Sequence, residues 1–297
     1  MADTAIVGPP AGVVRRQLIR ITTSALTYLA LTVLGLVFAF PLFYAISTSL
    51  KSSAELRQVP PTLIAQVMYW DNYVRFYVLE PMTLRWFANT LLVIALSVPG
   101  GVLTAILVAY GFARFEFPLR DFWFMVLLST LMLPNEVTLI PLYILFHSLG
   151  WVNTYLPLIV PAWFGGGAFS IFFIRQFFMT LPRELDDAAR IDGANSFQIL
   201  WRVLVPLSGP VIMSLFIFGF FAGWNDFFGP LIYLNSRQLY TMSLGLNEYR
   251  TMPDTVNVPT ENLLMVGTIF MAIPCILLFA FGQRYFVRGM IMSGLKF

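Results

Sequence analysis

Six stretches of about twenty mostly apolar residues, near 24 to 46, 87 to 111, 122 to 145, 155 to 178, 208 to 234 and 262 to 286, set the first constraint on this chain. A helix rises about 1.5 Å per residue, so each stretch is long enough to cross the roughly 30 Å hydrocarbon layer of a bilayer. One soluble core cannot hold so many apolar segments: charged residues are 11% of the 297, against about 25% in soluble domains. The pattern predicts an all-α membrane protein with six transmembrane helices. Arg15, Arg16 and Arg20 precede the first stretch, but its apolar run exceeds a signal-peptide core and no small-residue cleavage site follows, so it reads as a retained span.

Lys and Arg accumulate on the cytoplasmic side of a membrane protein. With loops assigned alternately to two sides, the side of the N-terminus holds twelve basic residues and the other side six. Both termini are therefore expected in the cytoplasm, with residues 1–23 as a cytoplasmic segment and 24–297 as the permeating domain. The single cysteine, Cys275, lies in an apolar run and leaves no disulfide or cysteine metal cluster available. Without a basic run, nothing in the sequence suggests a nucleic-acid partner.

Glycine and proline interrupt the spans. Pro99, Gly100 and Gly101 lie in the second, Pro134 and Pro141 in the third, Pro157, Pro161 and Gly165 to Gly167 in the fourth, and Gly223, Gly229 and Pro230 in the fifth. Broken backbone at membrane depth is tolerated where protein or a watery cavity satisfies the freed groups. The interruptions favour a transporter or channel over an anchor, although both residues are common in membrane helices generally.

Between the fourth and fifth spans, on the predicted cytoplasmic side, the sequence RELDDAARIDGANSFQIL concentrates charge. Pro182 suits a first helical position, and Glu184, Asp186 and Asp187 suit the positive end of a helix dipole. Arg190 lies near the far end, and Gly193 can supply a left-handed stop. A helix of about ten residues is expected, with Ala188 and Ala189 at its middle leaving the backbone open to close approach. Asn195 or Ser196 can cap a second segment, FQILWRVLVPL, that reaches the fifth span through Pro206. The alternative, an amphipathic helix resting on lipid headgroups, usually carries Lys or Arg opposite large apolar residues. This helix is acidic and alanine-centred.

The stretch resembles the EAA loop of ABC importer permeases, whose pattern runs E-A-A, three residues, G, nine residues, I, one residue, L-P. Here Asp187, Ala188, Ala189, Gly193, Val203, Val205 and Pro206 occupy those positions at every spacing, with Asp, Val and Val in place of Glu, Ile and Leu. LPRELDDAARIDGA is similar to the form found in carbohydrate importers, and the similarity extends through MLPNEVTLIPLY, WNDFFGPLIYL and the ending RYFVRGMIMSGLKF. The resemblance is to the shorter, six-span permease of the maltose and glycerol-3-phosphate type, and implies the type I ABC importer permease architecture. It also implies a location in a bacterial or archaeal cytoplasmic membrane and a five-part machine: two different permeases, an ABC ATPase dimer and an extracytoplasmic solute-binding protein. In that machine the loop at 180–206 would dock on the ATPase through Glu184, Asp187, Ala188, Ala189 and Gly193. Through Pro206 it would move the fifth span as a rigid lever.

ATP and magnesium would belong to the partner ATPase, since the chain contains no G-x-x-x-x-G-K-[ST] loop. It also lacks G-x-S-x-G and H-E-x-x-H, and its one histidine, His147, has no neighbouring base or ligand in sequence; no catalytic residue and no metal site are expected, and the chain is not read as an enzyme. Two carboxylates, Glu136 and Asp226, fall inside predicted spans, where a charge costs about 2.5 to 3.5 kcal/mol at the centre. They are candidates for the substrate path or for solvated positions near the outer interface. Trp224 and Asn225 offer a stacking face and an amide to a sugar, while Trp is also enriched at membrane interfaces.

Three functions compete at this point. The first is the translocation subunit of an ATP-driven carbohydrate importer, working by alternating access. The second is an ion-coupled secondary transporter acting alone through Glu136 and Asp226. A membrane enzyme using a carboxylate pair is the third, and it lacks a positioned nucleophile.

Overall fold

A computed structural model describes residues 11–165, 167–251 and 260–294, with side chains for all of these except 11–19, 21, 135, 136, 251 and 284–294. The described residues form helices and no strand. In chain order the α-helices are α1 Ala11–Ser49, α2 Asp71–Leu79, α3 Thr83–Arg114, α4 Arg120–Ser129, α5 Asn135–Ser148, α6 Leu156–Ile159 and α7 Ala168–Thr180. After these come α8 Glu184–Ile191, α9 Ser196–Ile199, α10 Val205–Leu207, α11 Gly209–Asn225, α12 Phe228–Tyr233, α13 Met242–Thr251 and α14 Glu261–Gly294.

Among the described residues, four segments are apolar and long enough to cross a bilayer: Thr22–Ser49, Thr83–Arg114, Leu156–Thr180 and Glu261–Gln283. Two more are bent pairs, and counting each pair as one crossing gives six. In the third span, α4 and the following turn meet α5 at 97°, with Leu133 and Pro134 extended at the corner. Proline disfavours the helical conformation in the residue before it, so the corner sits where the sequence placed an interruption.

The fifth span bends by 78° between Ser196–Leu207 and Gly209–Asn225. The prolines at 206 and 210 remove two N–H groups, from the carbonyls of Arg202 and Pro206. Ser208, fully buried between them, donates both its N–H, at 3.0 Å, and its hydroxyl, at 2.8 Å, to the Leu204 carbonyl. Just before the bend, Leu200–Leu204 widens into a π-helix. The rigid lever expected from the sequence therefore carries a joint, because prolines on both sides of Ser208 remove ladder donors.

By chain contacts the protein divides into two compact units. The first holds the described residues up to Tyr73 and the start of α14 through Ile269. There Lys51, 2% exposed, donates to the Thr62 carbonyl, and its own carbonyl accepts from both Asn72 and Asn262 at 2.9 Å.

The second unit runs from Val74 and includes α14 from Phe270. Its core is a stripe on α3, Val102, Ala105, Ile106, Ala109, Tyr110 and Ala113, at the spacing of one helix face. Against it pack Ile171, Ile174 and Phe178 of α7, Ile199, Leu200 and Leu204, and Val211 and Leu215 of α11. Lipid tails are as apolar as leucine, so these helices associate through close packing and not through exclusion from water. Gly219 and Gly223, four apart on α11, face Val98 and Ile94 of α3 so closely that an added Cβ would stand 2.8 and 2.9 Å from those side chains.

Candidate coupling helix and translocation break

The polar island folds as the short helix α8, about 12 Å long at 1.5 Å per residue. It spans eight residues and not ten: Arg183 is the N-cap, and Pro182 lies before it, contributing its carbonyl to the Leu185 N–H at 3.4 Å. Asp192 ends the helix and Gly193 follows at φ +83°, a left-handed conformation that side chains rarely adopt. The Ala194 N–H donates to the Ala189 carbonyl at 2.9 Å and the Gly193 N–H to the Arg190 carbonyl at 3.0 Å. This pair of bonds is a Schellman stop.

Asn195, and not Ser196, caps the next helix. Its Oδ1 accepts from the Gln198 N–H at 2.9 Å, while Gln198 Oε1 accepts from the Asn195 N–H at 2.9 Å. Two opposed signals two residues apart, the stop at Gly193 and the cap at Asn195, thus fix the turn between α8 and α9, independent of distant contacts.

Around the axis of α8 the residues divide by face. Glu184, Asp187, Ala188 and Ile191, spaced i, i+3, i+4, i+7, are exposed. Ala189 is half-buried against the core of the second unit. Pro206 and Gly193 are exposed. Asp187 pairs weakly with Arg190 at 3.8 Å, both largely exposed. Ile191, 87% exposed at the end of the helix, has no contact that explains an isoleucine there.

The inward face carries the feature sequence reasoning missed. Asp186, 6% exposed, lies 2.8 Å from Nε of Arg114, the last residue of α3, and Arg114 also donates to the Leu181 carbonyl at 3.1 Å. The Nε–H does not point along that 2.8 Å line, so the contact is an ion pair and not a directed hydrogen bond. Burial pushes the Asp186 carboxyl above its ordinary range, with Arg114 opposing the shift. The root of α8 is thereby tied to the end of the second span. An i, i+3, i+4, i+7 reading of ELDDAARI, which places Asp186 on the face opposite Glu184 and Asp187, was the available sequence signal.

At the other end of the fifth span, α11 stops at Asn225 and α12 begins at Phe228. Trp224 is fully buried. Its Nε1–H donates to the Met271 carbonyl at 2.9 Å, and its ring stacks on Phe220 at 5.4 Å and meets Phe87 edge-on at 5.2 Å. In this conformation the indole presents no accessible face. Asn225 is exposed and donates to the Phe221 carbonyl at 2.9 Å.

Asp226 is half-buried; its Oδ1 accepts from the Gly229 N–H at 3.1 Å, and its carbonyl from the Ser243 hydroxyl at 2.5 Å. It thus holds the first turn of α12 and ties the break to α13. Glu136 lies in the first turn of α5, and its side chain is outside the described residues. The structure brings Trp224, Asn225 and Asp226 together at one break and leaves the coupling helix a separate site.

Residues 83–292, from the start of α3 almost to the end of α14, match the family of binding-protein-dependent transport system inner membrane components. The chain belongs to this family. It is similar to the arabinooligosaccharide transport permease AraQ of Halalkalibacterium halodurans, 33% identical over 268 residues, which cover 89% of this chain and 93% of that one. Similarity to the sn-glycerol-3-phosphate transport permease UgpE of Brucella abortus is 34% over 269 residues, covering 87% and 93%. The fold is also that of a chain of a bacterial ABC transporter importing the acidic polysaccharide alginate, with TM-score 0.78, 20% identity, and cover of 95% of this chain and 100% of that one.

This membrane component is accordingly an ABC importer permease and not an enzyme, with the type I architecture its spans and EAA-like loop suggested. A component of such a system works with an ATPase and a solute-binding protein, and that sets aside the reading of a self-sufficient ion-coupled transporter.

Proposed function

We propose that the chain is the shorter permease of a carbohydrate importer, pairing with a second, different permease and docking α8 into a cleft on each cycle's closing ATPase dimer. The observation that carries the reading is the exposed face Glu184–Asp187–Ala188–Ile191 on a helix stopped, capped and anchored from below. Such a helix can be pushed without melting. Its motion would reach α3 through Asp186–Arg114 and α11 through the Ser208 joint, opening residues 24–297 alternately to the two sides.

In this reading both termini and the loop at 180–206 are cytoplasmic, and the cell membrane is that of a bacterium or archaeon. The substrate class follows from the relatives, whose names specify arabinooligosaccharides and sn-glycerol-3-phosphate. Asn225 and Asp226, with Glu136, would border the path, and Trp224 would hold the break in shape and not touch the sugar. ATP and magnesium would remain on the ATPase.

Purification of the tagged chain from its native membrane tests the assembly: a second permease and an ATPase are expected to accompany it, and a stable lone protein would overturn the reading. Ala188→Trp tests the docking face. Membrane insertion should persist while ATP hydrolysis no longer drives uptake; loss of insertion would make the island a folding element.

A further inference from the structure

A cleft of about 610 Å³ opens where α3 and α7 end and α4 begins. Four guanidinium groups line it, those of Arg114, Arg120, Arg175 and Arg183, with Glu184 at its edge. Three of them are matched by carboxylates: Arg114 by Asp186 at 2.8 Å, Arg120 by Asp121 at 3.0 Å, and Arg183 by Glu116 at 4.0 Å.

Arg175 differs. It is 9% exposed, and among the described residues no carboxylate stands within 4.0 Å of it. Its Nε–H reaches the Phe112 carbonyl only at 3.4 Å, and its guanidinium lies 4.0 Å from the centre of the Phe124 ring. Removing a cation from water without a counter-ion is costly, so a buried, unpaired guanidinium lining an open cleft marks a place for an anion.

The level of the cleft identifies the anion. Its arginines stand at the ends of three spans, where lipid phosphates lie. Beside the mouth, Leu119, Phe122 and Trp123 at the start of α4 are 67%, 49% and 52% exposed, and Met179 on the lining is 53% exposed. Aromatic side chains at such a boundary characterise the headgroup region. A free anion would need none of this apolar border, whereas acyl chains would lie along it. Basic pockets between membrane helices suit anionic headgroups.

We propose that this cleft seats the phosphate of an anionic phospholipid, with Arg175 and Arg120 as its main contacts and the acyl chains along α4 and Met179. The lipid neutralises Arg175 and bridges the ends of α4 and α7 just beneath the root of α8. Bound there, it stiffens the platform against which the coupling helix is pushed.

The test uses the assembled importer in nanodiscs of phosphatidylcholine containing phosphatidylglycerol, re-extracted in detergent and weighed by native mass spectrometry. Wild type should retain phosphatidylglycerol in preference to phosphatidylcholine. Retention should fall about fivefold for Arg175→Gln and for Arg120→Gln, the increment expected for one basic contact at the membrane surface. Arg175→Lys, which keeps the charge, should recover part of it. Should Arg175→Gln fail to assemble, Arg120→Gln alone decides, since its side chain is more exposed and its carboxylate partner Asp121 is mainly solvated.

Equal retention by wild type and Arg120→Gln would overturn the proposal. Displacement of the lipid by inorganic phosphate would make the cleft a free-anion site and also overturn it. So would retention only after the ATPase is stripped away, which would assign the cleft to protein docking.

Discussion

The coupling loop and the break at Trp224–Phe228 look alike in sequence, since each sets polar residues beside small ones at the end of the fifth span, yet they are built in opposite ways. In the loop, local bonds between neighbours fix the backbone, and side chains named in advance, Glu184, Asp187 and Ala188, are left exposed. At the break, distant contacts fix the backbone, and Trp224, the side chain best suited by chemistry to a sugar, is consumed by those contacts. A locally built element can present its distinctive residues outward because it does not need them for its own stability. An element built by tertiary contact spends them.

Truncating each element's support should break this comparison most strongly at the break. Trp224→Ala removes a fully buried ring between Phe220 and Phe87 and orphans the Met271 carbonyl, a loss of about 3–5 kcal/mol. Thermal unfolding in detergent should show a large drop in midpoint. An unchanged midpoint would mean that the ring is not a structural bolt, and would return it to the list of path residues.

Arg114→Met ranks next. It leaves Asp186 buried without its cation, and breaking a buried pair from one side costs about 3 kcal/mol, whereas Arg114→Met combined with Asp186→Leu should recover most of that loss. Uptake should stay low in the double variant if the pair transmits force as well as holding the loop. The pair also has a pH signature. Because burial raises the Asp186 carboxyl above its ordinary range, the folded state binds this proton more tightly than the unfolded one. The stability it contributes is fully present below the ordinary aspartate range and is lost as pH rises through the raised value. Asp186→Asn should flatten that part of a stability-versus-pH curve, and an unchanged slope would contradict it.

Within the loop itself the expected effects are smaller. Nothing stands within 4 Å of a Cβ built on Gly193, so Gly193→Ala should cost only the left-handed backbone penalty of about 1–2 kcal/mol, felt as weaker coupling of ATP hydrolysis to uptake. Asn195→Ala removes one side of the capping box for about 1 kcal/mol. Both should leave membrane insertion intact. Hydrogen exchange at the α8–α9 turn should rise in the same order, Gly193→Ala above Asn195→Ala.

The same division explains what the sequence could disclose. The spans were legible because hydrocarbon thickness dictates their length, and the stop at Gly193 and the cap at Asn195 because each is a relation between neighbours. Proline told where the third span turns, at Pro134. The joint at Ser208 is less legible: the segment through Pro206 reads as part of a rigid lever, and the 78° bend involves Pro210 and the widened turn Leu200–Leu204 as well. Arg114–Asp186 joins residues with two spans between them, and Trp224–Met271 joins neighbouring spans across a long loop, so no short window along the sequence holds both ends of either contact.

Asn225 supplies the smallest effect on stability and the sharpest test of the comparison. It stands one residue from the buried Trp224, yet its side chain is exposed and bonds only within its own helix, to the Phe221 carbonyl. Asn225→Ala should change the thermal midpoint by no more than about 0.5 kcal/mol equivalent, as an exposed position away from any special backbone does. If its amide meets substrate hydroxyls along the path, uptake by the assembled importer should show KM raised severalfold with kcat nearly unchanged, the signature of lost uniform binding. Trp224→Phe should do the reverse, lowering the midpoint because the Met271 carbonyl loses its donor, at about 1–3 kcal/mol, while leaving KM alone. Should Asn225→Ala leave KM unmoved as well, the break is a structural joint throughout, and the sugar passes along other residues of the second unit.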